Sequence, residues 1–149
     1  MNDPRVMVAV QDLASVDDLI KLACQLSKGM ECELIALHVV EVTPTLPLDA
    51  EAEALDEPGK QVLARACETA MKCFSAELNT RLVRARNTGE AIVGEAADSH
   101  VDLLILGHRR KSPLGEILLG STSQHVARHA ACRVIIQIPP ASRGRSFEE

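Results

Sequence analysis

The segment Val101–Pro139, VDLLILGHRRKSPLGEILLGSTSQHVARHAACRVIIQIP, decides how the chain is read. Its apolar run Val101–Leu106 has the content of a buried strand and stops at Gly107. A polar, basic loop follows. A second glycine, Gly120, then precedes Ser121, Thr122 and Ser123 at the start of a helix that ends near Ala131. Arg133–Ile138 is a last β-rich run before Pro139 and Pro140. Strand, glycine turn and hydroxyl-rich helix N-terminus form a recognisable unit. Free backbone N–H groups and the positive end of the helix dipole make such a terminus suited to phosphate.

Working outward, the same alternation extends to the start of the chain. Arg5–Val10 reads as a short apolar strand. Ser15 is a good N-cap for a helix whose apolar positions Val16, Leu19, Ile20, Ala23 and Leu26 recur at helical spacing, and Gly29 stops it. Glu31–Val42 is a second strand. Thr43–Gly59, with three prolines and five carboxylates, interrupts the pattern and reads as a flexible connection with one helical turn near Ala50–Leu55. A helix is expected over Lys60–Asn79 and an edge or near-edge strand over Thr80–Arg86. A third helix, opened by Gly89–Glu90, closes before Val101. Strands alternating with helical crossovers imply an α/β domain, a single doubly wound five-stranded parallel sheet with helices on both faces. The domain is expected to span 1–140, and the polar tail 141–149 to be disordered.

Composition narrows the function classes. With 149 residues the chain can bury one real core, and that core must be aliphatic, since there is no Trp or Tyr and only Phe74 and Phe147. A net charge of −5 with both signs interspersed does not suggest a nucleic-acid partner or an anionic membrane surface. No apolar run approaches the roughly 18 residues of a membrane span. The N-terminus has no signal-peptide core, so a soluble, cytoplasmic protein is expected. Five cysteines without a CxxC pair read as small buried hydrophobes in a reducing compartment rather than a zinc or disulfide framework.

The glycine spacing carries a resemblance. Gly107, two residues, position 110, nine residues, then Gly120-Ser121 resembles the nucleotide signature of the universal stress protein family, as does the wording Gly115-Glu116-Ile117-Leu118-Leu119-Gly120-Ser121. The family pattern has a second glycine where this chain has Arg110. The resemblance implies a flavodoxin-like sheet of strand order 3-2-1-4-5. It also implies a homodimer through antiparallel pairing of the Arg133–Ile138 strand. In such sheets ligands bind where the order reverses, at the carboxyl ends of the strands. That crevice gathers Ala9, Val10, Gln11 and Asp12 after the first strand with Leu106 and Gly107 after the fourth.

By the same resemblance the ligand is an adenine nucleotide, ATP with or without Mg2+, with AMP and ADP as alternatives. Gly120 and Ser121 amides and the Ser121 and Ser123 hydroxyls would hold phosphates, with Thr122 contributing its backbone. A structural reading stands beside each of these, since Gly107 permits a tight turn and serines cap helices. Arg110, beside His108, Arg109 and Lys111, either obstructs the phosphate loop or adds a charge-assisted contact. Gln11 stands where many relatives carry aspartate, and its amide can donate to and accept from a base or ribose. Val39 reads as strand core that also walls the base. His125 and His129 share a helix face, but without HExxH context they read as ordinary helix histidines.

The expected function is a nucleotide-binding regulator in a stress response that works by occupancy, with hydrolysis slow at most. Two alternatives stay open. One is an interaction dimer that binds no ATP, in keeping with Arg110 and Gln11. The other is the soluble regulatory part of a membrane transporter, because LIALHVVEVTPTLPL is similar to universal stress domains that follow amino-acid transporters.

Overall fold

The computed structural model describes residues 3–51, 53–108 and 119–140. The elements follow one another as β1 (Arg5–Ala9), α1 (Leu13–Leu26), β2 (Glu33–Glu41), α2 (Glu53–Phe74), β3 (Asn79–Ala85), α3 (Thr88–Asp98), β4 (Leu103–Gly107), α4 (Ser121–His129) and β5 (Arg133–Gln137). The five strands form one parallel sheet of order β3-β2-β1-β4-β5, the order that the family resemblance implies. β1 lies at the centre, and the order reverses between β1 and β4.

Successive strand residues point to opposite faces, and the core divides accordingly. Val6, Val8, Val10, Leu34, Ala36 and Ile105 pack with Val16, Ile20 and Ala23 of α1 and Val62, Leu63 and Ala66 of α2. Met7, Ala9, Ile35, Leu37, Val39, Leu104 and Leu106 pack with Ile92 and Ala96 of α3 and Val126 of α4. Seven consecutive residues of β2, Leu34–Val40, are buried, which is why that strand reads as a continuous apolar run rather than an alternating one.

Several boundaries differ from the sequence reading. α1 is capped by Asp12, not Ser15: the Asp12 carboxylate accepts from both the Ser15 N–H and the Ser15 hydroxyl at 2.9 Å, placing Ser15 in the first turn. α2 begins at Glu53 rather than Lys60, so Pro58 lies inside the helix. A proline there cannot donate to the Ala54 carbonyl four residues back, yet the helix continues through it. Gly59 beside it serves a close approach rather than a turn, since a Cβ there would sit 2.5 Å from Cδ2 of His38. α2 stops at Phe74 instead of Asn79 because Ser75 turns left-handed, with φ of 51°. Arg84 of β3 fixes the connection ahead of α2: its guanidinium donates to both Asp56 carboxylate oxygens at 3.0 Å and to the Leu48 and Ala50 carbonyls. The 141–149 tail lies outside the described residues.

Candidate functional site

At the carboxyl end of the sheet, where β1 and β4 part, a cavity of about 550 Å³ opens. That volume falls within the range of small-molecule sites. Ala9, Gln11 and Asp12 line one side and Leu106, Gly107 and His108 the other, with Gly120, Ser121, Thr122 and Ser123 across the mouth. Gly107 keeps the floor open. A Cβ at that position would approach Leu19 Cδ1 to 3.3 Å.

The N-terminus of α4 faces this cavity without a side-chain cap. Gly120 occupies the N-cap position in extended conformation, with φ of −70° and ψ of 171°. The first N–H groups of a helix have no partners within it, so those of Ser121, Thr122 and Ser123 require partners from outside. Ser123 is buried and Ser121 exposed. Gly89 of α3 brings α4 close, since a Cβ there would meet His125 Cβ at 3.0 Å.

His108 and Gln137 also belong to the cavity lining, and His108 Nε2 and Gln137 Oε1 are buried within it without a hydrogen-bond partner among the described residues. His108 is only 8% exposed, and its backbone N–H continues the sheet by donating to the Gln137 carbonyl at 2.9 Å. Buried polar atoms are nearly always paired, and an unpaired one costs about 1–3 kcal/mol.

The opposite wall is satisfied from within. The Gln11 side chain reaches across the end of β1 to β2, its Nε2 donating to the Val39 carbonyl and its Oε1 accepting from the Val39 N–H, each at 3.2 Å. Asp12 is engaged in capping α1. Below, α1 is fastened to α2: Arg65 donates to both oxygens of Asp17 at 3.0 and 2.8 Å, and Thr69 Oγ1 donates to Oδ1 at 2.7 Å. These hydrogen bonds, the Arg65 one foremost, hold the Asp17 carboxyl below its ordinary value. Burial raises the thiols of Cys24, Cys67 and Cys132, which keeps them protonated and poorly nucleophilic.

Of the residues singled out in the sequence, Ala9, Gln11, Asp12, Leu106, Gly107, Gly120, Ser121, Thr122 and Ser123 converge on this cavity. Val10 and Val39 do not line it. The Val10 side chain is fully buried on the α1–α2 face, and Val39, 2% exposed, belongs to the opposite core. Arg109 and Arg110 lie outside the described residues. His125 and His129 stack with ring centroids 4.4 Å apart. No group of three or more His, Cys, Asp or Glu residues is arranged to hold a metal ion among the described residues, and none of the described helices is long and apolar enough to cross a membrane.

Sequence reasoning did not single out Thr88, Gln137 or the ring of His108 as its own site atom. Gln137 left a signal, being the polar interruption in the apolar run Arg133–Ile138. Thr88, which opens α3 and donates to Glu41 Oε2 at 2.9 Å, left none.

Comparison with known proteins places this geometry among relatives. The profile of the universal stress protein family matches residues 4–137. Universal stress protein MJ0531 of Methanocaldococcus jannaschii is 30% identical over 126 residues, covering 80% of this chain and 73% of that protein. Among solved structures, the universal stress protein from Archaeoglobus fulgidus in complex with dAMP superposes with a TM-score of 0.71 at 18% identity, covering 91% of this chain and 98% of its own. A universal stress protein family protein from Arabidopsis thaliana with AMP bound superposes with a TM-score of 0.64 at 18% identity, covering 97% of each chain.

Proposed function

The chain belongs to the universal stress protein family, and from that premise we propose that it binds an adenine nucleotide in the β1–β4 crevice and acts by occupancy. One observation carries the reading: the α4 N-terminus, with no side-chain cap hydrogen bond at Gly120, lines the cavity at the β1–β4 crevice. The nucleotide-bound relatives show that this fold accommodates dAMP and AMP in those proteins. Here the phosphates would accept from the Ser121, Thr122 and Ser123 N–H groups and the Ser121 and Ser123 hydroxyls, with His108 donating alongside.

ATP is the proposed ligand, with AMP and ADP as weaker alternatives because they offer fewer phosphate oxygens to the helix terminus. Mg2+, where it accompanies ATP, would be held by phosphates and water, the usual arrangement for this ion. Arg109 and Arg110 would add charge to the phosphate end. The role is regulation through binding, in a homodimer paired along β5, whose half-buried Val134, Ile135 and Ile136 lie at the sheet edge. A parent or partner transporter is the place such a domain would act if it is not free-standing.

The test is direct. Heat denaturation of the purified chain should release nucleotide that ion exchange resolves, and the emptied protein should titrate with ATP by calorimetry. Neither released nucleotide nor heat of binding at several temperatures would overturn the nucleotide reading. Light scattering on the same sample should give twice the 16.1 kDa chain mass, and a monomer would remove the dimer.

A second reading, an interaction dimer without nucleotide, has one observation in its favour. Gln11 already holds the Val39 backbone at the end of β2.

A further inference from the structure

The last rung between β1 and β2 is the Val10 N–H donating to the Leu37 carbonyl at 2.8 Å. Backbone groups two residues further along a strand point the same way, so the Val39 N–H and C=O also face the β1 side. There β1 has already turned away. These two groups would be an open donor–acceptor pair at the carboxyl end of the sheet. They are met instead by the Gln11 carboxamide, which is exposed at the cavity while Val39 is screened from it.

The pairing has a definite chemical pattern. A backbone N–H and C=O of one residue accept a partner that presents one acceptor beside one donor. A primary amide does this, and so does the Watson–Crick edge of adenine, with N1 as acceptor and the N6 amino group as donor. Guanine presents O6 and N1–H in the opposite order. We propose that Gln11 is an intramolecular stand-in for the adenine edge: a clasp on the Val39 backbone that the incoming base displaces, which sets nucleotide affinity and base preference. The inference rests on the nucleotide reading above.

Displacement exchanges two neutral hydrogen bonds for two of the same kind, so the base contributes little at this point while Gln11 is present. Removing the clasp leaves the Val39 pair to water in the free protein and to the base in the complex. The Gln11 side chain is exposed and packs no core, so its loss leaves the fold intact.

The experiment titrates the full wild-type chain, Gln11→Ala and Gln11→Asn with ATP, GTP and tripolyphosphate. It also follows the Val39 amide resonance of 15N-labelled protein. Asparagine keeps the amide but is one methylene too short to span to β2. Both variants should bind ATP about three- to tenfold more tightly than wild type, with tripolyphosphate unchanged and GTP improved less than ATP. The Val39 resonance should shift in the ligand-free variants, and in wild type on adding ATP. ATP bound equally or more weakly by both variants would overturn the clasp and leave the nucleotide reading standing. GTP gaining as much as ATP would overturn it as a base-edge mimic. A Val39 resonance unmoved by Gln11→Ala would overturn it whatever the affinities. No ATP binding by any of the three proteins, each with native circular dichroism, would overturn the nucleotide reading and the clasp together.

Discussion

Two helix N-termini open onto the same cavity, and they are in opposite states. α1 begins directly after β1 and is closed by its own carboxylate, Asp12, which accepts from the Ser15 N–H and hydroxyl. α4 begins after Gly120, which has no side chain to close it. Both termini carry the same partial positive charge from the helix dipole. The difference suggests where an anion would sit: at α1 a carboxylate already caps the terminus, whereas at α4 no side chain does. One terminus is a structural joint and the other is proposed as a binding surface.

The comparison breaks most sharply if α4 is made to resemble α1. Gly120→Asp would place a preferred capping residue where none exists. Replacing a glycine cap with aspartate is worth a few tenths of a kcal/mol to the helix, so thermal stability should hold or rise slightly. The same carboxylate would engage the N–H groups that the phosphates need and repel them. Loss of two charge-assisted bonds predicts ATP affinity down about a hundredfold. Stability and binding should therefore move in opposite directions, read by thermal denaturation and calorimetry on one sample. Unchanged ATP affinity in Gly120→Asp would place the phosphates elsewhere.

A smaller effect is expected on the β5 side of the cavity, at Gln137. Methionine has nearly the shape of glutamine without the buried acceptor. Gln137→Met removes an unpaired polar atom and should stabilise the ligand-free protein by about 1 kcal/mol. If the amide oxygen accepts from a ligand hydroxyl, ATP affinity should fall about threefold. No gain in stability would mean that Oε1 is satisfied in solution, by water for example.

These positions also show what a sequence discloses and what it conceals. The alternation of strands and helices was legible from local patterns, apolar runs of strand length, glycine stops and hydroxyls before a helix, and the strand order that brings Gly107 and Gly120 together came from the family resemblance. The state of each helix end was not legible. Ser15 looked like the cap of α1, because capping preference alone cannot say whether a neighbouring Asp12 is placed to accept first. Pro58-Gly59 looked like the end of a flexible connection, because sequence cannot show His38 arriving from β2 against the Gly59 backbone. Gln11 looked like a ligand contact, because its pairing with Val39 spans two strands and exists only once β1 and β2 are in register. The last two of these readings depended on a partner distant in sequence.

The smallest effect concerns how firmly α1 is held as the closed wall. Beyond its Asp12 cap, α1 is fastened to α2 by Asp17, which accepts from Arg65 and Thr69. The Arg65 hydrogen bond, followed by that of Thr69, holds the Asp17 carboxyl below its ordinary 3.8 against the opposing effect of desolvation. A carboxyl depressed in the folded state stabilises the fold fully above its unfolded value. That contribution is lost as pH falls through the folded value. Asp17→Asn keeps a side-chain oxygen for Thr69 and one arm of Arg65 but removes the charge, so the difference between the two proteins isolates the charged contribution. The Arg65 side chain is 51% exposed and that of Asp17 34%, so water and salt screen the pair. The loss at neutral pH should be about one or two degrees in melting temperature. The gap should shrink in high salt and close under acid conditions below the folded carboxyl value, where Asp17 is neutral as well. A gap that persists there would show that α1 is held by the geometry of the Thr69 and Arg65 contacts rather than by charge, and the wall facing α4 would then be insensitive to pH.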